Sequence, residues 1–308
     1  MMKSILVINE KDYIEKILND KDYVLMDKPY ATLRMMAQYY YEIKTIRKKG
    51  IKEKLIDFLK NHCIKYQESP EKWDDICEKI AKKTGGERLI EADGIHITKT
   101  ELEKIIEIEN LPDISTADKK ALERLLFTIL VLGKYQKLHG AEFNYISSKK
   151  APIKTIDLFH LANVKGNRSQ RNQMLYKLFK MGLIGFPNSN IADNCRAIYV
   201  DDLAESVITV TDLQAIGYQL NAWRGDSFNH CKKCGILIKT NSGTDGYCCD
   251  CYPIRNLKIK RCDECGALFA TRANNKKYCP SCQEKRNQQS KNESAKRKKG
   301  KKRNLERG

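Results

Sequence analysis

Residues 231–251 read CKKCGILIKTNSGTDGYCCDC, and residues 262–282 read CDECGALFATRANNKKYCPSC. A shift of 31 positions lays Cys231, Cys234, Cys248 and Cys251 on Cys262, Cys265, Cys279 and Cys282. The same shift matches Gly235 with Gly266, Leu237 with Leu268, Thr240 with Thr271, Tyr247 with Tyr278 and Arg255 with Arg286. The chain therefore carries a duplicated module, each copy reading Cys-x2-Cys, thirteen residues, Cys-x2-Cys.

This spacing is that of a metal site. Thiolates are soft ligands, and two Cys-x2-Cys knuckles on a short hairpin can close a four-sulfur shell around a metal ion. The glycine after each first knuckle suits a turn that needs positive φ. Each module has few apolar side chains, and ordering a residue costs about 1.5 kcal/mol, so the missing stabilisation must come from elsewhere. A structural zinc ion supplies roughly 10 to 16 kcal/mol in small finger peptides, so the modules are expected to fold only with metal. Two structural Zn2+ ions per chain are expected, and closed shells leave no coordination position for catalysis. Iron in a rubredoxin-like site and redox cysteines are the readings left beside zinc. Cys249 falls outside the repeat as a spare thiol that could compete with Cys248. His230 adjoins Cys231, but the repeat puts Arg261 in its place, which argues against a ligand role.

Charge is the second signal. The 308-residue chain has a formal net charge of +18. From Asp226 onward there are 21 basic and 8 acidic residues, so the excess concentrates at the C-terminal end. Each four-thiolate zinc site would add about −2, which takes up part of that excess. The longest apolar run, Leu125–Leu132, is far short of the roughly 20 residues of a membrane span. The first ten residues turn acidic too soon for a signal peptide, and Cys63, Cys77, Cys195 and Cys249, which show no paired spacing, suit a reducing cytosol, so a cytoplasmic protein without membrane contact is expected.

The expected fold class is mainly α: a helical domain over 1–113, a middle domain over 114–225, zinc ribbons over 226–255 and 256–286, and a disordered basic tail over 287–308. Within the first part, helices are expected over Pro29–Lys49, with Gly50 as the breaker, over Ile51–Cys63, and from a cap at Ser69 with Pro70 in the first turn. Leu89–Ile97 reads as a hairpin around Asp93-Gly94, and Thr98 with Glu101 as a capping box. The middle part reads as a long amphipathic helix (Ala117–Leu138), a short helix (Ile156–Ala162), a tight turn, and a second helix (Ser169–Met181). Two strands follow, from Leu183 and over Arg196–Val200. This order resembles a winged helix-turn-helix. The resemblance implies a recognition helix with Met174, Leu175, Leu178 and Phe179 buried. Ser169, Asn172, Gln173, Tyr176 and Lys180 would face outward, with Arg168 and Arg171 at its mouth. A solvated face with no ligand reads the same way, and the wing residues Asn188-Ser189-Asn190 carry no cation. Thr211–Trp223 is expected as a linker helix and Arg224-Gly225-Asp226 as a hinge.

The two ribbons differ in their loops. Arg272, Lys276 and Lys277 stand where the first copy has Ser242-Gly243-Thr244-Asp245-Gly246, whereas the first knuckle has Lys232-Lys233 against Asp263-Glu264. From Gln283 onward there are 11 basic and 3 acidic residues, centred on Lys296, Arg297, Lys298, Lys299, Lys301, Lys302 and Arg303. Such a segment can bind phosphates without reading sequence, or merely solubilise. The second module and its basic continuation resemble the zinc-ribbon ends of proteins from Gram-positive phages and mobile elements, which implies a style of C-terminus rather than an activity.

The leading expectation is a non-enzymatic nucleic-acid-binding protein, a DNA-binding regulator of a phage or mobile element, with DNA ranked ahead of RNA. The nominated contacts are Arg168, Arg171, Gln173, Lys180, Arg272, Lys276, Lys277 and the seven tail cations. The alternative is a zinc-ribbon adaptor or inhibitor that grips a host protein or ribonucleoprotein, such as RNA polymerase or a defence nuclease. No phosphate loop, carboxylate cluster or nucleophile with a placed base is present to suggest an enzyme.

Overall fold

The computed structural model describes the chain apart from residues 1–5, 21–22, 24, 26–28, 87, 113, 148–152, 188–193, 233–234, 241–244, 249–251, 253–255, 257 and 306–308, with backbone alone for 67–68 and 295–305. The described fold is mainly α with two-stranded antiparallel sheets. It forms two compact units, Met1–Ile17 with Glu87–Arg255, and Leu18–Gly86 with Asn256–Gly308.

In the first unit, α1 (Glu10–Asn19) contributes up to Ile17, followed by β1 (Ile95–Thr98), α5 (Lys99–Ile106) and α6 (Thr116–Leu138). Then come α7 (Thr155–Leu161), α8 (Arg168–Lys180), β2 (Ile184–Gly185), β3 (Arg196–Ala197), β4 (Ser206–Val210) and α9 (Ile216–Trp223). The first cysteine module supplies β5 (Phe228–His230) and β6 (Leu237–Lys239). Helix α6 is the centre of this unit. Ser115 caps it by accepting from the Asp118 N–H, and Leu122, Leu125, Leu126, Phe127, Ile129, Val131 and Leu132 are fully buried. A helix that is apolar on most sides belongs inside a core. The core around it takes Ile105 and Ile108 from the preceding segment, Leu158 and Phe159 from α7, Leu175 and Leu178 from α8, and Ile216 and Leu220 from α9. Gly217 has no Cβ because one would overlap the carbonyl of Ala162, so α9 lies directly against the end of α7.

Several expectations are corrected here. The hairpin expected over Leu89–Ile97 is absent: Ile95, His96 and Ile97 pair with Val210, Thr209 and Ile208 of β4 instead. Ile95, Ile97, Ile208 and Val210 are buried together, and this apolar face selects the distant partner over the local one. The same pairing, with Leu102, Ile105 and Ile108 in one core with α6, runs across the boundary expected at residue 113. Strands β2 and β3 are two residues each, shorter than expected. The segment 224–226 is tied down rather than hinged: Arg224 Nη1 lies 2.6 Å from the buried Glu123 and 3.2 Å from Glu109. Burial pushes the Glu123 carboxyl up, opposed by its bond to Arg224.

The capping box at Thr98 forms, with the Glu101 N–H donating to its side chain and the Glu101 carboxylate accepting from the Thr98 N–H. Glu101 is itself buried and also meets Lys134 at 2.9 Å and the Asp201 N–H at 3.0 Å.

The second unit contains α2 (Pro29–Glu42), α3 (Lys48–His62) and α4 (Pro70–Lys83), then β7 (Lys258–Arg261), β8 (Leu268–Thr271) and α10 (Pro280–Leu305). Leu33 and Met36 of α2, Ile51, Leu55 and Leu59 of α3, and Cys77 and Ile80 of α4 are buried. The break expected at Gly50 falls earlier, between Glu42 and Lys48, where Thr45 adopts φ 54°; Gly50 lies within the first turn of α3. Ser69 precedes α4 as expected, with Pro70 in its first turn, but its side chain makes no capping bond. The tail expected to be disordered continues the chain as α10. Proline suits a first helical position, and Lys, Arg, Gln and Glu lose little rotamer freedom in a helix.

Candidate metal centre and nucleic-acid interface

In the second module, the N–H of Gly266 donates to the Cys262 carbonyl at 2.9 Å, and the N–H of Cys262 donates to the Ala267 carbonyl at 2.8 Å. This folds the first knuckle into a tight turn with Gly266 at φ 70°, the left-handed region that glycine adopts at least cost. β7 and β8 pair Arg261 with Leu268 and carry the knuckle at their closed end. The N–H of Asp263 donates to the Lys277 carbonyl at 3.0 Å, which brings the second knuckle alongside the first. The N–H of Gln283 then donates to the Cys279 carbonyl at 2.9 Å, opening α10 with Cys282 in its first turn.

The sulfurs of Cys262, Cys265, Cys279 and Cys282 consequently lie within 4.8 Å of one another and could hold a metal ion. Cys265 and Cys279 are 3.7 Å apart, close to the edge of roughly 3.8 Å in a tetrahedron with metal–sulfur arms of about 2.3 Å, and far from a disulfide's roughly 2 Å. Burial opposes ionisation of the Cys262 thiol, yet N–H groups of Cys279, Cys265 and Glu264 converge on it and hold it down to about 6. Desolvation, with the neighbouring thiols adding to it, pushes Cys282 upward. Four inward thiols, one already favoured as thiolate, fit a soft metal ion.

The first module repeats this backbone at the 31-residue shift. The N–H of Cys231 donates to the Ile236 carbonyl at 2.8 Å, Gly235 to Cys231 at 2.9 Å, Lys232 to Gly246 at 2.9 Å, and Tyr252 to Cys248 at 2.9 Å. The strand register is conserved as well, His230 opposite Leu237 matching Arg261 opposite Leu268. Gly235 has φ 77°. Cys231 and Cys248 are buried, and the Cys248 N–H donates to the Cys231 sulfur at 3.3 Å. Cys234, Cys251 and the spare Cys249 lie outside the described residues. His230 Nδ1 lies 2.7 Å from the Gly235 carbonyl oxygen.

Of the nominated contacts, Arg272 and Lys277 are exposed on the hairpin of the second module and Lys276 is half-buried. With Tyr278 and Gln283, Lys276 and Lys277 line an open hollow of about 360 Å³. The Arg286 guanidinium covers the Tyr278 ring at 4.2 Å and meets Glu264 at 3.5 Å. Lys296, Arg297, Lys298, Lys299, Lys301, Lys302 and Arg303 lie in the last turns of α10.

On α8, Arg168, Gln173 and Lys180 are exposed as expected, and Lys180 lies over the Tyr176 ring at 5.4 Å. Arg171 is half-buried, its guanidinium over the Phe159 ring of α7 at 5.6 Å, so it braces the two helices. Leu175 and Leu178 are buried as expected and Met174 partly so, but Phe179 is 46% exposed and leans on Phe186 at 5.5 Å. Its position on the helix turns it toward β2 rather than into the core. A capping box at Asn167 and Gln170 opens α8. The pattern Asn-x-x-Gln before an apolar-periodic run could have revealed it. The wing residues Asn188-Ser189-Asn190 and the first module's 242–244 lie outside the described residues. Among the described residues, no helix is long and apolar enough to cross a membrane. No family model, no curated protein and no solved structure matches the chain.

Proposed function

We propose that this chain is a non-enzymatic, cytoplasmic nucleic-acid-binding protein, built to hold DNA ahead of RNA. Each cysteine module holds one structural zinc ion, the first because its described hydrogen bonds and register repeat those of the second. The α6–α8 segment with β2 and β3 acts as a winged helix-turn-helix and lays the outer face of α8 against duplex. The second ribbon and α10 add phosphate contacts.

One observation carries the reading: the four-sulfur cluster leads straight into α10, and the sequence from Gln283 to Gly308 holds 11 basic and 3 acidic residues. A helix with almost no apolar side chain has no core to join, and dense positive charge suits a polyanion.

The test measures binding of the full-length, metal-loaded chain to random-sequence DNA and RNA across salt. If about six phosphates are neutralised, the log-log slope should lie near −5, and changing the seven cations between Lys296 and Arg303 to glutamine should flatten it. Binding indifferent to salt between about 50 and 200 mM would refute the reading. A stable protein partner that survives nuclease treatment, without nucleic-acid affinity, would replace it with the adaptor.

A further inference from the structure

A second surface, unrelated to the cysteines and to α8, carries aromatic rings around an arginine. Tyr145 forms an antiparallel bridge with Arg196, and Arg196 on its other side pairs with Gly185 of β2. Alternation then sorts this small sheet into two faces. Ile146, Ile184, Cys195 and Ala197 point inward and are buried. Tyr145, Arg196 and Gly185 share the outer face, flanked by Phe143, 51% exposed, and Ile198, 57% exposed.

The Arg196 guanidinium lies 5.3 Å from the Tyr145 ring and 6.0 Å from the Phe143 ring, and the two rings meet edge to face at 6.2 Å. No carboxylate pairs with Arg196 among the described residues. Beside it Gly185 lies under its neighbours: a Cβ there would touch Ile198 Cγ1 at 3.7 Å and Arg196 Nε and Ile198 Cδ1 at 3.9 Å. Phe143 and Ile198 are exposed apolar groups.

We propose that this face is a stacking platform for unpaired nucleobases, binding a single nucleic-acid strand. The rings of Phe143 and Tyr145 offer flat apolar surface that any base can stack on. Arg196, which pairs with no carboxylate among the described residues, meets the strand's phosphate. Base stacking on aromatic side chains is sequence-tolerant, and each stacked base contributes enough that its loss weakens binding roughly fivefold to a hundredfold. The guanidinium charge of Arg196 on this face favours an anionic occupant over a neutral one. The platform would let the chain hold a strand outside a duplex, which an α8-to-groove contact does not provide.

The experiment uses full-length metal-loaded protein with a twelve-nucleotide strand carrying 2-aminopurine, and with the matching duplex. Gly185→Val crowds Ile198 and Arg196 on this face without altering charge, Phe143→Ala removes one ring, and Arg196→Gln keeps the stem but not the charge. Gly185→Val and Phe143→Ala are expected to weaken the strand about tenfold or more and leave the duplex within about twofold. Wild type should quench 2-aminopurine by stacking and Gly185→Val should not. Phe143 is half-exposed, so its variant folds even if Gly185→Val does not, and circular dichroism checks both. The platform is overturned if strand affinity and quenching are the same in wild type, Gly185→Val and Phe143→Ala. It is equally overturned if these variants lose poly-glutamate and keep the strand, which would give the face to acidic protein. Salt-sensitive duplex binding with an indifferent strand would leave the functional reading standing without the platform, whereas loss of both nucleic acids would refute both.

Discussion

The two cysteine modules share their described backbone and differ in nearly everything outside it. Four hydrogen bonds and the strand register recur at a shift of 31 residues, yet the first knuckle is basic where the second is acidic. The ring at the repeated tyrosine is covered by a knuckle lysine, Lys232 over Tyr247 at 5.8 Å, in one copy and by Arg286, from the helix beyond the last cysteine, in the other. Arg261 in the second donates to Asn61, whereas His230 in the first turns back on its own turn. Sulfur geometry constrains the backbone tightly and leaves outward side chains free. The described backbone is therefore duplicated, whereas the outward side chains are not.

The largest expected effect tests the shared part. Replacing Cys265 and Cys282 by serine should remove one metal equivalent per chain and unfold the second module. Replacing Cys231 and Cys248 should remove the other equivalent, each loss being on the scale of about 10 to 16 kcal/mol of metal binding. Elemental analysis of the purified variants decides it, and two equivalents retained by either would end the parallel. Next in size, Arg272→Ala with Lys276→Ala and Lys277→Ala should reduce the salt slope of DNA binding by roughly 2 to 3, against no change for Lys232→Ala with Lys233→Ala. Equal effects from the two sets would mean that the surfaces have not diverged in use. Gly235→Ala and Gly266→Ala should each cost about 1 to 2 kcal/mol, because both have positive φ and open space around the missing Cβ. Chemical denaturation of the metal-loaded variants would show whether the two costs match. Smallest, Arg286→Ala should lose about 0.5 to 1 kcal/mol from its contact with Tyr278, and Lys232→Ala less, given its longer separation from Tyr247.

What sequence reading could find was local. The quartets, the capping box at Thr98 and the succession of helices from residue 116 to 180 all depend on residues a few positions apart. The β1–β4 pairing joins residues more than a hundred positions apart, and no short-range pattern distinguishes Ile95–Thr98 as half of that pair. The Tyr145–Arg196 bridge is hidden for the same reason, since its strands are too short to show alternation. The turn at Thr45 escaped notice because a non-glycine residue takes the left-handed conformation there, while the glycine that advertises a break sits inside a helix. Helix α10 was missed because its composition lacks the apolar stripe by which helices are recognised.

Cys282 gives the first turn of α10 a second role. Forming that turn is the costly step of making any helix, and a metal ion gripped by Cys279 and Cys282 would fix those residues beforehand. Metal occupancy and helix content then become linked equilibria. Whatever favours the helix along its basic length must tighten the metal by the same factor by which the metal favours the helix. A chelator that stripped such an ion would loosen the arm, and a polyanion that favoured the helix would raise the chelator concentration needed to strip it.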